Sequence, residues 1–159
     1  MPIAHRLQIR PAAREDLDTL VRFSHAMAQE TEGRDLEWER LRQGTFAVLE
    51  SSAKGFYLVA ELCGETPAVV GQLLITYEWS DWRNATFWWI QSVYVDPSRR
   101  RQGVYRRLYE DVVNRARAQP DVCGIRLYVE RDNQVAQSVY RMLNLRQTHY
   151  QIWEVDFVL

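Results

Sequence analysis

The sequence contains little cysteine and histidine and no long apolar run. Cys63 and Cys123 are the only cysteines among 159 residues, too few for a disulfide framework, and with three scattered histidines they show no metal-ligand spacing. No segment approaches the roughly 20 apolar residues that a membrane-spanning helix needs. The first eleven residues lack the apolar stretch of a signal peptide. We therefore expect a cytoplasmic, reduced protein that holds no metal and contacts no membrane.

Glycine and proline are also scarce, at seven and five residues, which excludes a collagen-like or low-complexity chain. Hydrophobic residues make up 47% and charged residues 26% of the sequence, as in ordinary globular proteins. A chain of 159 residues has the length of one domain and buries about 70% of its unfolded surface. We therefore expect a single domain over residues 1–159.

Lysine is nearly absent, because Lys54 is the only lysine among 20 basic residues. The formal net charge is −1, so the chain as a whole does not attract nucleic acid. Residues 1–98 carry nine basic against 14 acidic residues, whereas residues 99–159 carry 11 against seven. Codon usage in a GC-rich genome explains the larger share of the arginine excess. Phosphate binding by arginine side chains is the alternative explanation.

Hydrophobic periodicity and turn residues divide the chain into ten elements. Alternating apolar residues predict strands, and apolar residues three and four apart predict helices. The segment from Thr86 to Val129 implies two parallel strands joined by a right-handed helical crossover. The prediction is an α/β fold with a mixed sheet, in the order β-α-α-β-β-β-α-β-α-β. The elements cover residues 7–10, 13–31, 37–52, 56–62, 68–77, 86–95, 104–118, 124–129, a helix after 132 or 133 with Val135, Val139 and Leu143 facing inward, and 149–158.

The stretch from Val95 to Leu108, VDPSRRRQGVYRRL, joins a strand to a helix through a glycine-containing loop. Backbone amides and the dipole at a helix start bind anions, and one anion contributes typically 0.3 to about 2 kcal/mol. Five of the nine residues 99–107 are arginines, which repel one another without a counter-anion. The loop lacks the Gly-Lys-Ser/Thr end of a P-loop and the glycines of a dinucleotide fingerprint. We favour a polyphosphate-binding loop over a solvated basic helix start.

The same stretch resembles the acyl-CoA motif of the GNAT superfamily of N-acetyltransferases, V-x-P-x-x-R-x-x-G-x-G/A followed by a helix. Val95, Pro97, Arg100 and Gly103 match this motif. Tyr105 stands where the second glycine or alanine is usual.

A second motif agrees with the resemblance. Asn133, Ala136 and Tyr140 match the pattern N-x-x-A-x-x-x-Y-x-x-x-G-F, although Asn144 and Leu145 replace its Gly-Phe. The order of elements also fits the GNAT fold. The resemblance therefore covers nearly the whole chain and implies a mostly antiparallel sheet with a central parallel pair, flanked by helices.

The resemblance implies acetyl-CoA as the co-substrate. Backbone amides of residues 101–106 would hold its pyrophosphate at the helix start, and the strand edge 92–95 would pair with the pantetheine arm. Asn133 would cap its helix, bind the pantetheine arm, or do both. The implied cofactor-binding residues are Val93, Tyr94, Val95, Arg100, Arg101, Gln102, Gly103, Val104, Tyr105, Arg106, Asn133 and Tyr140.

Acyl transfer from a thioester to an amine requires a neutral amine, a stabilised oxyanion and a protonated leaving thiolate. By the resemblance, Tyr140 would stand beside the CoA sulfur and donate the last proton. A backbone N–H of Val93 or Tyr94 would stabilise the oxyanion.

The general base is left open by the sequence. Three positions at which family members carry a carboxylate hold Trp89, Gln91 and Tyr128. Glu78 is the first choice among the remaining acids, and a surface carboxylate is its alternative role. The other candidates are Asp81, Glu130 and a water chain ordered by Gln91 and Tyr94.

In GNAT folds the acceptor lies between the first two helices and the middle strands, which implies residues 23–38 and 77–89 here. The first segment is acidic, and the second contains four tryptophans. Carboxylates and tryptophan faces suit a cation, with cation–π contact contributing roughly 0.5 to 2 kcal/mol. Alternation puts Trp88 and Trp89 on opposite faces, so at least one is expected in the core or in a homodimer interface. The expected acceptor is a small cationic amine bound by Glu30, Trp79, Trp89 and Gln91.

Three functions remain open at the level of sequence. The leading hypothesis is an acetyl-CoA-dependent N-acetyltransferase in which a small amine attacks directly within a ternary complex. Acetylation of a protein lysine or N-terminal amine is the second. The third is a non-catalytic acyl-CoA-binding module, which the absence of a standard base favours.

Overall fold

One mixed sheet organises the larger part of the chain. A computed structural model describes residues 7–158, which fall into two compact units, one ending at Leu127 and one starting at Tyr128. The strands are β1 (Leu7–Pro11), β2 (Phe56–Leu62), β3 (Ala68–Ser80), β4 (Ala85–Val95) and β5 (Val122–Leu127). The helices are α1 (Leu17–Glu32), α2 (Trp38–Glu50), α3 (Val104–Ala118) and, in the second unit, α4 (Gln134–Met142).

The five strands lie side by side in their order along the chain. Successive strands from β1 to β4 pair antiparallel, whereas β4 and β5 pair in parallel. Helix α3 makes the crossover between these two parallel strands, as the strand-helix-strand pattern predicts. The mixed, mostly antiparallel α/β fold is therefore confirmed.

Strand β4 contains a bulge at Gln91. On the neighbouring β3, Leu74 pairs with Ser92 and Ile75 pairs with Ile90, so Gln91 has no residue opposite it. One extra residue bends a strand and reverses the alternation of its side chains beyond that point. The second half of β4 therefore presents its side chains in the opposite phase to the first half.

The two faces of the sheet are covered by different helices. Trp88 and Ile90, before the bulge, and Val93, after it, all belong to the core that packs against α3. Tyr94 points to the opposite face, where its ring centroid lies 5.1 Å from that of Phe23 in α1. Helices α1 and α2 cover this second face. Of the two adjacent tryptophans, Trp88 is thus the core residue.

The predicted apolar stripe of α3 anchors the larger core. Four residues at a spacing of four are at most 5% exposed and pack against the sheet. Burial of one such aliphatic side chain contributes about 1.5 to 3 kcal/mol. These residues are Val104, Leu108, Val112 and Ala116.

The first three helices occupy their predicted segments, with small shifts at the ends. A 3-10 turn at Arg14–Asp16 leads into α1, which ends at Gly33 with a φ of 63°. The carboxylate of Glu37 caps α2 by accepting the amide hydrogens of Glu39 and Arg40. Helix α3 begins and ends where the periodicity places it.

The predicted closing strand at residues 149–158 is wrong. The described residues 149–158 form neither a helix nor a strand, and β5 is the edge of the described sheet. Alternation shows which side chains would share a face, but a strand also needs a neighbour for its backbone hydrogen bonds. The parallel pair consequently lies at the edge of the described sheet rather than at its centre.

Helix α4 departs from its prediction at one side chain. Val135 is 79% exposed, whereas Val139 and Leu143 are partly buried. At the other end, the amide of Leu145 donates to the carbonyl of Tyr140, with Asn144 left-handed at a φ of 64°. Asparagine tolerates this conformation better than most residues, so Asn144 replaces the glycine of the family motif without losing the helix cap.

We predict that Gly55→Ala lowers the free energy of unfolding by at least about 2 kcal/mol, the scale of backbone strain plus overpacking. A Cβ at Gly55, where φ is 143°, would lie 2.1 Å from the carbonyl oxygen of Ile75. Gly44, within α2, is the matched control because its Cβ would have no neighbour within 4 Å. Gly44→Ala should stabilise the protein by about 0.5 to 1 kcal/mol. Urea unfolding measures both changes, and equal effects of the two substitutions would contradict this assignment.

Candidate active site

Strand β4 has an open edge in its second half. The last residue pair between β4 and β5 is Ile90 with Leu127, but β4 continues to Val95. From Ser92 to Val95 its ladder partners lie in β3 only, within the described part of the chain. Apart from the Val95 carbonyl, which accepts a hydrogen bond from Arg100, the backbone groups on the other side of this segment are therefore available to an extended ligand rich in amide groups.

The loop after β4 turns this edge into the start of α3. Asp96 begins the loop by accepting hydrogen bonds from the amide and hydroxyl of Ser98, at 2.9 and 2.6 Å. Arg101 and Gly103 then adopt left-handed backbone conformations, with φ of 59° and 85°. Gly103 supplies no side-chain cap, so the first amides of α3 point out of the helix start. Such an arrangement suits a phosphate group.

The five arginines of the loop and of the first turn of α3 differ in whether they form ion pairs. Arg100 forms an ion pair with Glu30 at 2.6 Å, and Arg106 forms one with Glu110 at 3.0 Å. Arg99, Arg101 and Arg107 form no ion pair with any described residue. The hydrogen bond from Ser98, followed by smaller contributions that include the charges of Arg99 and Arg100, lowers the pKa of Asp96, so this carboxylate offsets part of the positive charge. Five guanidinium groups against the carboxylates of Glu30, Asp96 and Glu110 leave a net positive charge around the helix start, which attracts a polyphosphate.

Arg100 joins the loop to α1 through hydrogen bonds to Val95 and Glu30. Its Nε donates to the Val95 carbonyl at 2.9 Å, while its Nη2 donates to Glu30. The other oxygen of Glu30 accepts the Tyr94 hydroxyl hydrogen at 2.8 Å. The sequence predicts Glu30 at the acceptor and Tyr94 and Arg100 at the co-substrate. The structure brings all three into one network.

The charges in this network reinforce one another. The hydrogen bond from Arg100, together with that from Tyr94, lowers the pKa of the Glu30 carboxyl group. Burial, followed by the hydrogen bond to Glu30, raises the pKa of the Tyr94 phenol. At neutral pH the carboxylate is ionised and the phenol is protonated, so α1, β4 and the loop are tied together by charge-assisted bonds.

Glu78 lies in a second network on the face covered by α1 and α2. Its Oε1 is 2.6 Å from Nη1 of Arg126, and its Oε2 accepts the indole hydrogen of Trp89. Arg126 is the ladder partner of Trp89 on β5, so three strands contribute one residue each. Both oxygens of the first-choice base are thus occupied by donors.

The predicted acceptor residues do not form one group. Trp79 is 63% exposed and lies on the face opposite Trp89, because it shares the phase of Tyr77, whose ring contacts Phe56 on the α3 side. Gln91 is exposed at the bulge. Trp89 is hydrogen-bonded to Glu78, the first-choice base.

The three remaining motif positions are Asn133 and Tyr140, in the second unit, and Tyr105, in α3. Asn133 caps α4 by accepting the Ala136 amide hydrogen at 3.0 Å, which confirms its capping role. Tyr140 is partly buried in the last turns of the same helix. Tyr105, the departure from the co-substrate motif, lies in the first turn of α3 with its ring centroid 6.3 Å from that of Tyr109.

Arg126 and the bulge are not among the features predicted from the sequence. The bulge does leave a signal, because the core residues of β4 change from even to odd numbers between Ile90 and Val93. Arg126 leaves a weaker signal, as the one charged residue within β5.

Residues 7–158 contain neither a metal-binding group of side chains nor a membrane-spanning helix. Within residues 7–158, no group of three or more histidine, cysteine, aspartate or glutamate side chains is placed to hold a metal. None of the helices in the described part of the chain is long and apolar enough to cross a membrane.

Comparison with known proteins adds three similar structures. A possible acetyltransferase from Clostridium difficile 630 is 40% identical and has a TM-score of 0.88, over 96% of this chain and 99% of that one. A probable acetyltransferase is 23% identical, with a TM-score of 0.81 over 94% and 97% of the two chains. The aminoglycoside N-acetyltransferase AAC(6')-Iy, solved with CoA, shares the fold at 15% identity and a TM-score of 0.75, over 94% of each chain. No curated protein matches the sequence.

The family assignment rests on more than the fold. A model of the acetyltransferase (GNAT) family matches residues 16–144, which include the open edge of β4, the arginine-rich loop and α4. The 40% identity to the clostridial protein extends over almost all of both chains. The chain therefore belongs to the GNAT family of acetyltransferases.

Proposed function

We propose that the protein transfers an acetyl group from acetyl-CoA to the primary amine of a small molecule, by direct attack within a ternary complex. The observation that carries this proposal is the continuity between the open edge of β4 and the start of α3. An extended amide-bearing arm and a pyrophosphate are joined in the same order in CoA. The residues present therefore fit this co-substrate.

Each part of this surface has a role in binding. Backbone groups of Val93 and Val95 pair with the pantetheine amides, while their side chains stay in the core. The amides of residues 101–106 bind the pyrophosphate. The arginines that form no ion pair with a described residue, Arg99, Arg101 and Arg107, add charge-assisted hydrogen bonds. Glu30 holds Arg100 and so positions the loop from the side of α1. When bound, acetyl-CoA supplies the activated acyl group.

The protein then provides proton transfer and charge stabilisation. The backbone N–H of Val93 or Tyr94 stabilises the oxyanion that forms when the amine attacks the carbonyl carbon. Tyr140 donates its phenolic proton to the departing thiolate. The match of Asn133, Ala136 and Tyr140 to the family motif, with Asn133 capping α4, supports this role.

The ammonium group of the acceptor loses a proton to water before the neutral amine attacks, and water also takes the proton that the nitrogen releases as the amide forms. Glu78 is a poor acceptor because Arg126 and Trp89 donate to its two oxygens. Gln91, exposed at the bulge, and Tyr94, whose hydroxyl is bonded to Glu30, both lie on β4 beyond its last pair with β5. Water ordered by these two residues is the proposed base, and Glu78 is a positioning residue for Arg126.

The thiol-release assay tests the function directly. Acetyl-CoA is offered with amino acids, polyamines, aminoglycosides and peptides, and free thiol is measured against a control without amine. Release that depends on a small amine supports the proposal. Release with peptides alone favours a protein acetyltransferase, and no release with any amine overturns the proposal.

Acetyl-CoA should raise the melting temperature of the protein, and Gly103→Glu should abolish this rise. A ligand at 100 times its Kd stabilises the folded state by about 2.7 kcal/mol. The substitution places a carboxylate at the proposed phosphate site, the start of α3, and disfavours the φ of 85°. Gly103→Asn is the matched control, because asparagine tolerates a left-handed backbone, and it should keep most of the shift. A rise in melting temperature as large in the glutamate variant as in the wild type would contradict phosphate binding at the start of α3.

Tyr140→Phe should keep acetyl-CoA binding and lower kcat by about 10² to 10⁴, the usual contribution of general acid–base catalysis. Binding is measured by calorimetry and turnover by thiol release. Tyr150→Phe, the same chemical change at a side chain that is 67% exposed, should leave both unchanged. An unaltered kcat in Tyr140→Phe would remove this residue from the mechanism.

A further inference from the structure

Two arginines converge on one buried phenylalanine beside Glu78. The guanidinium carbon of Arg126 lies 3.7 Å from the centroid of the Phe87 ring, and that of Arg83 lies 5.0 Å from it. We call Phe87, Glu78, Trp89, Arg83 and Arg126 the Phe87 cluster. Its strand residues lie on the sheet face that α1 and α2 cover, because Phe87 and Trp89 have the opposite phase to the core residue Trp88.

The backbone holds this cluster in place. Gly124 is the ladder partner of Phe87, and a Cβ there would lie 2.7 Å from the phenyl ring. The ring therefore occupies the space that the glycine leaves, and it is 8% exposed. Contact with this ring and the bond to Glu78 hold the planar guanidinium of Arg126 on the sheet. Its position is thus set before any ligand binds.

The cluster carries an excess of positive charge. It contains two guanidinium groups and one carboxylate, and the carboxylate is bonded to Arg126. Arg126 uses only Nη1 in hydrogen bonds with described residues, out of the five donor hydrogens of a guanidinium. The Arg126 side chain is 28% exposed, so further donors are within reach of a ligand. A planar fork of this kind binds a carboxylate by two parallel hydrogen bonds.

The cluster lies beside the proposed reaction site. Arg126 pairs with Trp89, whereas the open edge of β4 begins beyond Ile90. Two residues along a strand span about 7 Å, which a small molecule bridges with an amine at one end and an anion at the other. The positive cluster is therefore placed to bind an anionic group of the amine acceptor. The CoA phosphates are assigned to the loop at the other end of β4.

We infer that the acceptor is an amino acid, whose carboxylate binds Arg126 while its amine attacks at the open edge of β4. This inference rests on the proposed function and specifies its substrate. Glu78 competes with the incoming carboxylate for Arg126, so it tunes the affinity for the anion. The expected small cationic amine is thereby narrowed to a zwitterion.

The test compares amino acids with their decarboxylated amines: phenylalanine with phenethylamine, tryptophan with tryptamine, and lysine with cadaverine. The readout is the ratio of kcat/KM within each pair, measured by thiol release from acetyl-CoA. Effects on the chemical step that are common to both members cancel in this ratio. For the wild type we expect at least one pair to favour the amino acid by tenfold or more.

Two substitutions in the same ion pair should move this ratio in opposite directions. Arg126→Gln should lower it about ten- to hundredfold, as expected when a hydrogen-bonded charge is removed from a carboxylate. Glu78→Gln should raise it, because Arg126 loses its competing partner. Arg126→Lys should give an intermediate ratio, since it keeps the charge but loses the fork. A merely structural role of the ion pair would move both variants in the same direction.

Arg22→Gln is the matched control. It removes a guanidinium that lies 5.6 Å from the centroid of the Phe23 ring, outside the Phe87 cluster, and should leave the ratio unchanged. Should Arg126→Gln fail to fold, the opposite shifts of Arg126→Lys and Glu78→Gln still decide the matter. Ratios near or below one in all wild-type pairs overturn the inference and leave the proposed function standing. Absence of thiol release with every amine overturns both.

Discussion

The extra residue at Gln91 is the constraint on which both networks depend. Before it, odd-numbered residues of β4 face α1 and α2, which places Phe87 and Trp89 beside Glu78 and Arg126. After it, even-numbered residues take that face, which places Tyr94 beside Glu30. A regular strand would turn the second half of β4 over and bury Tyr94 in the core against α3. One unpaired residue thus lets a single strand serve two polar clusters and one continuous apolar core.

The acidic residues that suggested a binding site for cations are mostly engaged within the protein. Glu30 is held by Arg100, Glu78 by Arg126, and Glu37 caps a helix. Opposite charges that are distant in sequence become neighbours, and the two charges of each pair largely cancel each other's attraction for a ligand. The charge that matters for ligands is what remains after this pairing. In the loop after β4 that remainder is positive, and it is also positive around Phe87.

Much of the fold could be predicted, because it follows from local patterns. The apolar stripe of α3 predicts the limits of that helix, and the glycine after the arginines predicts its start. The left-handed φ of Gly103 and of Asn144 appear where the two family motifs place them. The closing strand could not be predicted from alternation, because its existence depends on a neighbouring backbone. Nor does any local pattern reveal that Glu30 and Arg100, 70 residues apart, form an ion pair.

The sequence by itself determined the family, the order of the elements from β1 to α4 and the loop for which we propose CoA binding, because each is carried by residues within about 15 positions of one another. Only the tertiary structure decided what the charged side chains do. Glu78 is bonded to two neighbouring strands, Arg100 is turned towards α1, and Trp79 and Trp89 lie on opposite faces. The physical reason is that strand pairing and the bulge set which distant residues meet, and a charge acts on a ligand only after its partners within the protein are accounted for.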